Sequence, residues 1–305
     1  MLFDTHTHIV APDDERYPRH DLALPNGAWW HRDDCSFESL RDHVGASQAD
    51  RVVLVQAAGA YRTDNRYLLD SLRDGGDRFV GIVIVDPADP GAPEQLRRLA
   101  AAPRVVGVRL FHIPTPADSW LGDERGDAVF DAATELGLAV TVTCQHWDLP
   151  ALGRQLERRP DAPVVVDHCG LVDFSGGPPD DQAQPLRDLA EHRNQRVQFT
   201  PTTASFNEDG ANEPRFDADG FELDHPAEML AAVVDRLGAD RVVLGSDWPQ
   251  HRQTDPDDEP GIGRRLTYAE QLELIIGWTA NLSPDQRGAV LAGNATRLFG
   301  LRRTN

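Results

Sequence analysis

Lysine is missing altogether from the 305 residues, so all 30 basic side chains are arginine. That excludes Schiff-base chemistry on a lysine, a phosphate-loop lysine and a lysine general base. Cysteine is scarce: Cys35, Cys144 and Cys169 are an odd number without Cys-x-x-Cys spacing, which argues against a disulfide framework or a zinc finger and leaves reduced thiols as the expectation. Positive charge is in deficit, 30 basic against 50 acidic groups for a net −20. Nucleic-acid and anionic-membrane binding need clustered cations, so neither is an expected partner. No apolar run approaches the ~20 residues that cross a bilayer, and the opening MLFDTHTHIV has neither the basic nor the apolar region of a secretory leader. Hydrophobic and charged contents of 40% and 26% are ordinary for a folded globular chain. The expectation is a cytoplasmic protein acting on a small molecule.

What is present is a regular alternation. Short runs rich in β-branched residues fall near 2–8, 51–56, 79–85, 105–111, 138–144, 163–168, 196–201 and 241–247, with helical periods such as NRYLLDSLRD, LPALGRQLERR and AEMLAAVVDRLG between them. Most of these runs are nearly continuous in Val, Ile and Leu, as parallel strands buried on both faces require. Eight strand and helix units predict a TIM-type (β/α)8 barrel, with residues 1–305 as a single domain. A doubly wound open sheet is the alternative, but no Gly-x-Gly-x-x-Gly follows the first strand. Three connections, 9–35, 202–224 and 249–265, are long for such units. All follow strands, which would place them over the C-terminal face as candidate lids and specificity loops.

Polar residues gather at strand ends. His6 and His8, two apart in DTHTH, would point to the same side of the first strand and converge on one metal ion or one substrate oxygen. His168 ends the sixth strand in VVVDHCG, and Asp247 ends the eighth in VVLGSDWP. In a closed barrel these strand ends share one mouth. Three imidazoles can bind a metal or polarise a carbonyl there, while a carboxylate moves a proton to or from water.

The ordered set DTHTH, VLVQAAGAYRTDNRYLLDSL, VGVRLF, VVVDHCG, VVLGSDWP and NATRLFG resembles the amidohydrolase superfamily, and within it the amidohydrolase-2 branch. The resemblance spans nearly the whole chain and is nearest to the branch's lactonases, particularly the 2-pyrone-4,6-dicarboxylate lactonase group. It implies hydrolysis of a cyclic ester by water. Asp247 matches the general base, His6, His8 and His168 the imidazole cluster, and Arg109 a contact to a substrate carboxylate. Arg109 is accordingly expected to bind substrate and not to hold the barrel together. Binuclear members of the superfamily commonly bridge two ions with a carboxylated lysine, which this chain cannot make. The expected cofactor is therefore one divalent ion of zinc or manganese type, on His6, His8, His168 and Asp247, or none. The seventh strand ends in VQFTPTTASF, without the arginine associated with the dicarboxylate enzymes, so a substrate with at most one carboxylate is expected.

Gln56, Tyr61, His112, His146, Trp248 and His251 lie at or just past strand ends and are candidate pocket walls, with packing or solvation as the competing role for each. Cys144 and Cys169 adjoin the site but read as inert buried thiols. Two rival functions stand beside the lactonase. One is a metal-dependent decarboxylase of an aromatic or unsaturated acid, which would release carbon dioxide. The other is a sugar- or small-acid-binding protein on a degenerate barrel, which would return its ligand unchanged.

Overall fold

Every residue of the run Phe79–Ile84, FVGIVI, is buried, as a strand covered on both faces requires. In the computed structural model most residues of the other strands are buried too, with Arg51, Val106, Phe111 and Arg196 as exceptions: β1 Phe3–Thr7, β2 Arg51–Val55, β3 Phe79–Ile84, β4 Val105–Phe111, β5 Ala139–Thr143, β6 Val164–Val166, β7 Gln195–Phe199 and β8 Val242–Leu244 pair in sequence order, all in parallel. The structure describes residues 1–21, 34–111, 120–172, 180–201, 226–249, 252–253 and 264–300. Each strand is followed by a helix: α1 Phe37–Ala46, α2 Arg66–Asp74, α3 Ala92–Ala100, α4 Glu124–Leu136, α5 Leu149–Arg158, α6 Asp180–Leu189, α7 Pro226–Leu237 and α8 Tyr268–Gly277. This is the (β/α)8 barrel read from the sequence, nearly closed on itself. No described helix is long and apolar enough to cross a membrane.

Local chemistry sets the helix starts. The Ser36 hydroxyl accepts from Ser39 N ahead of α1, Asp123 accepts from Arg125 N ahead of α4, and Thr267 with Glu270 forms a reciprocal capping box on α8. Two apolar cores result. Between strands and helices lies the larger one, including Leu40, Leu72, Phe130, Leu152, Leu230 and Leu272. Inside the barrel, Phe3, Val53, Val55, Val80, Ile82, Val165 and Val243 pack together with Ala292, Ala295 and Phe299 from the last turns of the chain, where Phe299 meets Phe3 edge-on. This plug fills one end of the barrel and leaves the strands' C-terminal ends as the polar mouth.

The seam between β8 and β1 is closed by individual bonds. Thr7 and Trp248 form a parallel bridge, Asp247 N donates to His6 O (2.9 Å), His8 N donates to Trp248 O (2.8 Å), and the Thr5 hydroxyl donates to Leu244 O (2.9 Å). Beneath them Asp4, completely buried, accepts from Ser246 N (2.8 Å), Ser246 Oγ (2.6 Å), Tyr268 Oη (3.0 Å) and His6 N (3.3 Å). One carboxylate thus ties β1, the turn after β8 and α8 together. Asp4→Ala is expected to lower unfolding free energy by about 3 kcal/mol or more, because it strands several buried donors at about 1–3 kcal/mol each. Urea denaturation checks this, and parent-like stability would show that the seam does not depend on Asp4.

Candidate active site

His6 and His8 reach the mouth through a break in strand regularity. The β1–β2 register pairs Asp4 with Val52 but Thr7 with Leu54, so β1 carries one extra residue between them. Phe3 lies in the inner core and strict alternation would send His6 to the opposite face; the bulge re-aims the residues after it. His6 and His8 therefore meet, Nε2 to Nε2, at 3.2 Å. Gly245 makes the space: a Cβ there would lie 2.7 Å from His6 Cβ and 3.0 Å from His6 N.

Asp247 sits opposite with φ +53°, a left-handed conformation that is costly for a residue bearing a Cβ and typical of functional turns. Its Oδ1 lies 3.8 Å from His6 Nε2 and 3.6 Å from His8 Nε2, too far for direct hydrogen bonds. His168, left-handed at φ +50°, completes the group: ligating atoms of His6, His168 and Asp247 all lie within 4.8 Å of one another, all buried.

The electrostatics keep these imidazoles neutral. Burial, reinforced by the Arg109 charge, holds His8 down at about 3, and burial holds His168 at about 4, with Asp167 opposing and Arg109 assisting. His6 is held well below the ordinary imidazole value, by burial first and then by its neighbours His8, Arg109 and His168. His8 Nδ1 donates to the Val55 carbonyl (2.9 Å), a group that can only accept, so its Nε2 carries a lone pair. Two nitrogen ligands on bonds of about 2.05 Å in tetrahedral geometry lie about 3.3 Å apart, close to the observed His6 to His8 separation. Neutral donors, a facing carboxylate and this spacing fit a single divalent cation.

Arg109 is close enough to depress all three histidines, but it is already committed. Its Nε donates to Asp167 Oδ2 (2.9 Å) and Thr143 Oγ1 (2.8 Å), and the Thr143 hydroxyl donates to the same carboxylate oxygen (2.7 Å). Arg109 and Asp167 are almost wholly buried. The guanidinium therefore ties β4 to the ends of β5 and β6, which corrects the expectation that it holds no part of the barrel together.

With this geometry in place the comparisons are decisive about family. The sequence profile described as Amidohydrolase matches residues 3–301. The chain belongs to the amidohydrolase family. It is 28% identical over 271 residues to the L-fucono-1,5-lactonase of Burkholderia ambifaria, covering 87% of this chain and 85% of that protein. It is 25% identical over 300 residues to the 4-sulfomuconolactone hydrolase of Hydrogenophaga intermedia, covering 98% and 88%. Two crystal structures share the fold. A probable 2-pyrone-4,6-dicarboxylic acid hydrolase from Acinetobacter baumannii, with citric acid bound, gives TM-score 0.72 at 20% identity, covering 98% of this chain and 99% of that one. An amidohydrolase from Burkholderia multivorans with bound zinc gives TM-score 0.70 at 20% identity, covering 99% of each.

Within this amidohydrolase, several candidate pocket walls are structural. Trp248 is fully buried, edge-on to Tyr268 with ring centroids 6.2 Å apart, and its backbone closes the seam. Gln56 spends its side-chain amide on the carbonyls of Asp64 (2.6 Å) and Arg62 (3.4 Å). The Tyr61 hydroxyl accepts from Ala11 N (2.8 Å), pinning the segment after β1. Of the two roles left open for each, pocket wall or packing, these contacts supply the second: each satisfies or covers backbone. His146 stands half-buried beyond β5, edge-on to Trp147. His112 and His251 lie outside the described residues, as do 22–33 and 202–225 and most of 249–265 from the long connections. Cys144 is buried and its thiol is pushed well up by desolvation, which disfavours a thiolate ligand. Sequence reasoning passed over Asp167, Thr200 and Gln198, and placed Asp4 with His6 and His8 in DTHTH without assigning it the seam; for Asp167, its position immediately before His168 was the available signal.

The lowered histidines predict an acid limb. Below about pH 6.5, the ordinary imidazole value, the unfolded chain takes up protons that the folded one refuses, so the stability present above pH 6.5 falls as pH drops toward the folded values of about 4 and 3. Melting metal-free protein between pH 7.5 and 4.5 is expected to give a falling Tm below 6.5 and a flatter slope for His8→Gln. Equal slopes would contradict the assignment.

Proposed function

We propose that this chain hydrolyses a lactone, opening a cyclic ester to the hydroxy acid. The observation that carries the reading is the meeting of Asp247 with three neutral imidazoles at the barrel mouth. The lactone-hydrolysing relatives support it, since both named activities are ring openings of cyclic esters. The site then contains the parts such a reaction needs. A carboxylate with a gap of 3.6–3.8 Å to the imidazoles can hold water and take its proton as the oxygen attacks the ring carbonyl. Asp247 later returns that proton to the departing alkoxide, so the ester C–O bond breaks with no net change in the enzyme. His6, His8 and His168 face the carbonyl oxygen as negative charge develops on it.

His6, His168 and Asp247, with His8 Nε2 beside them 3.2 Å from His6 Nε2, would hold one divalent cation of zinc or manganese type, as the bound zinc of a structurally similar amidohydrolase also suggests. Such an ion supplies Lewis-acid polarisation of the carbonyl and of water when bound. Without it, the imidazoles act alone. Arg109 would meet the substrate with a charge already opposed by Asp167, which favours a substrate carrying at most one carboxylate. The whole barrel, residues 1–305, acts as one domain in this reading.

Two measurements test it. Asp247→Asn keeps the shape but cannot accept the proton, so kcat on the best lactone of a panel is expected to fall by at least ~100-fold with Tm nearly unchanged. Near-parent turnover in the folded variant would remove Asp247 from the mechanism, and carbon dioxide release in place of ring opening would favour a decarboxylase. Elemental analysis is expected to give no more than one transition-metal ion per chain, with chelation and readdition of zinc or manganese switching activity off and on where one is bound. Two tightly bound ions per active chain contradict the ligand set.

A further inference from the structure

Two of the site imidazoles, His8 and His168, are held from behind by a neighbouring strand. His8, past the end of β1, donates Nδ1–H to Val55 on β2. His168, past the end of β6, has its Nδ1 2.8 Å from the hydroxyl of Thr200, which follows β7. Gln198, on β7, is fixed beside β1, where its Nε2 donates to Thr5 Oγ1 (2.9 Å) and Thr5 O (3.1 Å). Gln198 and Thr200 are two residues apart and almost wholly buried, so one short stretch of backbone ties down both β1 and the His168 ring.

We infer that Thr200 is a positioning residue: its hydroxyl accepts a hydrogen bond from Nδ1–H of His168 and so turns that ring's Nε2 lone pair to the place that His6 and Asp247 share. This rests on the proposed metal and lactone chemistry for its purpose, though not for its geometry. The backbone is the reason such an anchor matters. His168, Cys169 and Leu171 have φ of +50°, +52° and +51°, a cluster of left-handed residues bearing side chains. Such conformations persist only when surrounding contacts over-determine them. The Thr200 hydroxyl is a side-chain contact that fixes both the direction of the His168 ring and which nitrogen carries hydrogen. A hydroxyl, unlike the Val55 carbonyl, can also donate. In that orientation His168 would instead point an N–H at the site and could not be a ligand.

Thr200→Val removes the hydroxyl at nearly constant shape, and Thr200→Ser restores it. Nitrogen-15 NMR of metal-free protein is expected to show His168 as the Nδ1–H tautomer in the parent and in Thr200→Ser, and as a mixture in Thr200→Val. Zinc affinity, read by competition with a chromogenic chelator, is expected to fall about 10–100-fold in Thr200→Val, the scale for an outer partner of a metal ligand. It is expected to stay within about threefold of the parent in Thr200→Ser. An Nε2–H tautomer in the parent overturns the inference, as does a Thr200→Val variant with parent-like tautomer and zinc affinity. Should Thr200→Val fail to fold, the parent tautomer and the Thr200→Ser affinity still decide it. A parent that opens no lactone speaks against the proposed function alone, since neither readout uses turnover.

Discussion

The Asp4 carboxylate is the constraint on which the site depends. A barrel of eight strands must join its last strand to its first, yet β8 is only three residues long and contributes little ladder to that seam. Asp4, completely buried, supplies what the ladder does not, gathering donors from Ser246, Tyr268 and His6. Burial alone would push this carboxyl toward its neutral form, and the hydrogen bonds from Ser246, His6 and Tyr268 oppose that. Because Asp4 and Ser246 stand two residues before His6 and one before Asp247, the bond that closes the barrel also sets the distance between the imidazole and the carboxylate.

Charge inside the mouth includes one buried opposed pair. Arg109 faces Asp167, and its remaining field depresses the protonated forms of the three histidines, keeping lone pairs available where a cation or a polarised carbonyl is needed. Removing either member of a buried pair would leave an uncompensated charge in low dielectric, a cost of several kcal/mol. The same ion pair that stiffens the wall therefore sets the electrical tone of the site.

The eight strands, their parallel sense and the placing of His6, His8, His168 and Asp247 at one end were legible because continuous Val and Ile runs and strand-end polar residues leave a direct imprint. The roles of Trp248, Gln56 and Tyr61 were not. A residue past a strand end can face the mouth or turn back on its own loop, and the choice lies with partners distant in sequence: Tyr268 for Trp248, Ala11 for Tyr61. The structural share of Arg109 was hidden for the same reason, since Asp167 lies 58 residues away and nothing local pairs them.

By itself the sequence determined the alternation of elements, the barrel that follows from it, the exclusion of lysine chemistry and the candidate donor set. These depend on residue type and on periods of two and 3.6, which are properties of the local chain. Tertiary structure alone decided the bulge that turns His6 inward, the Gly245 contact that admits it, the Asp4 seam and the partners of each imidazole ring. Those depend on which backbone carbonyl or hydroxyl arrives beside a given side chain. That is settled by the closure of the sheet, because hydrogen bonds act over about 3 Å and their partners come from strands far apart in the chain.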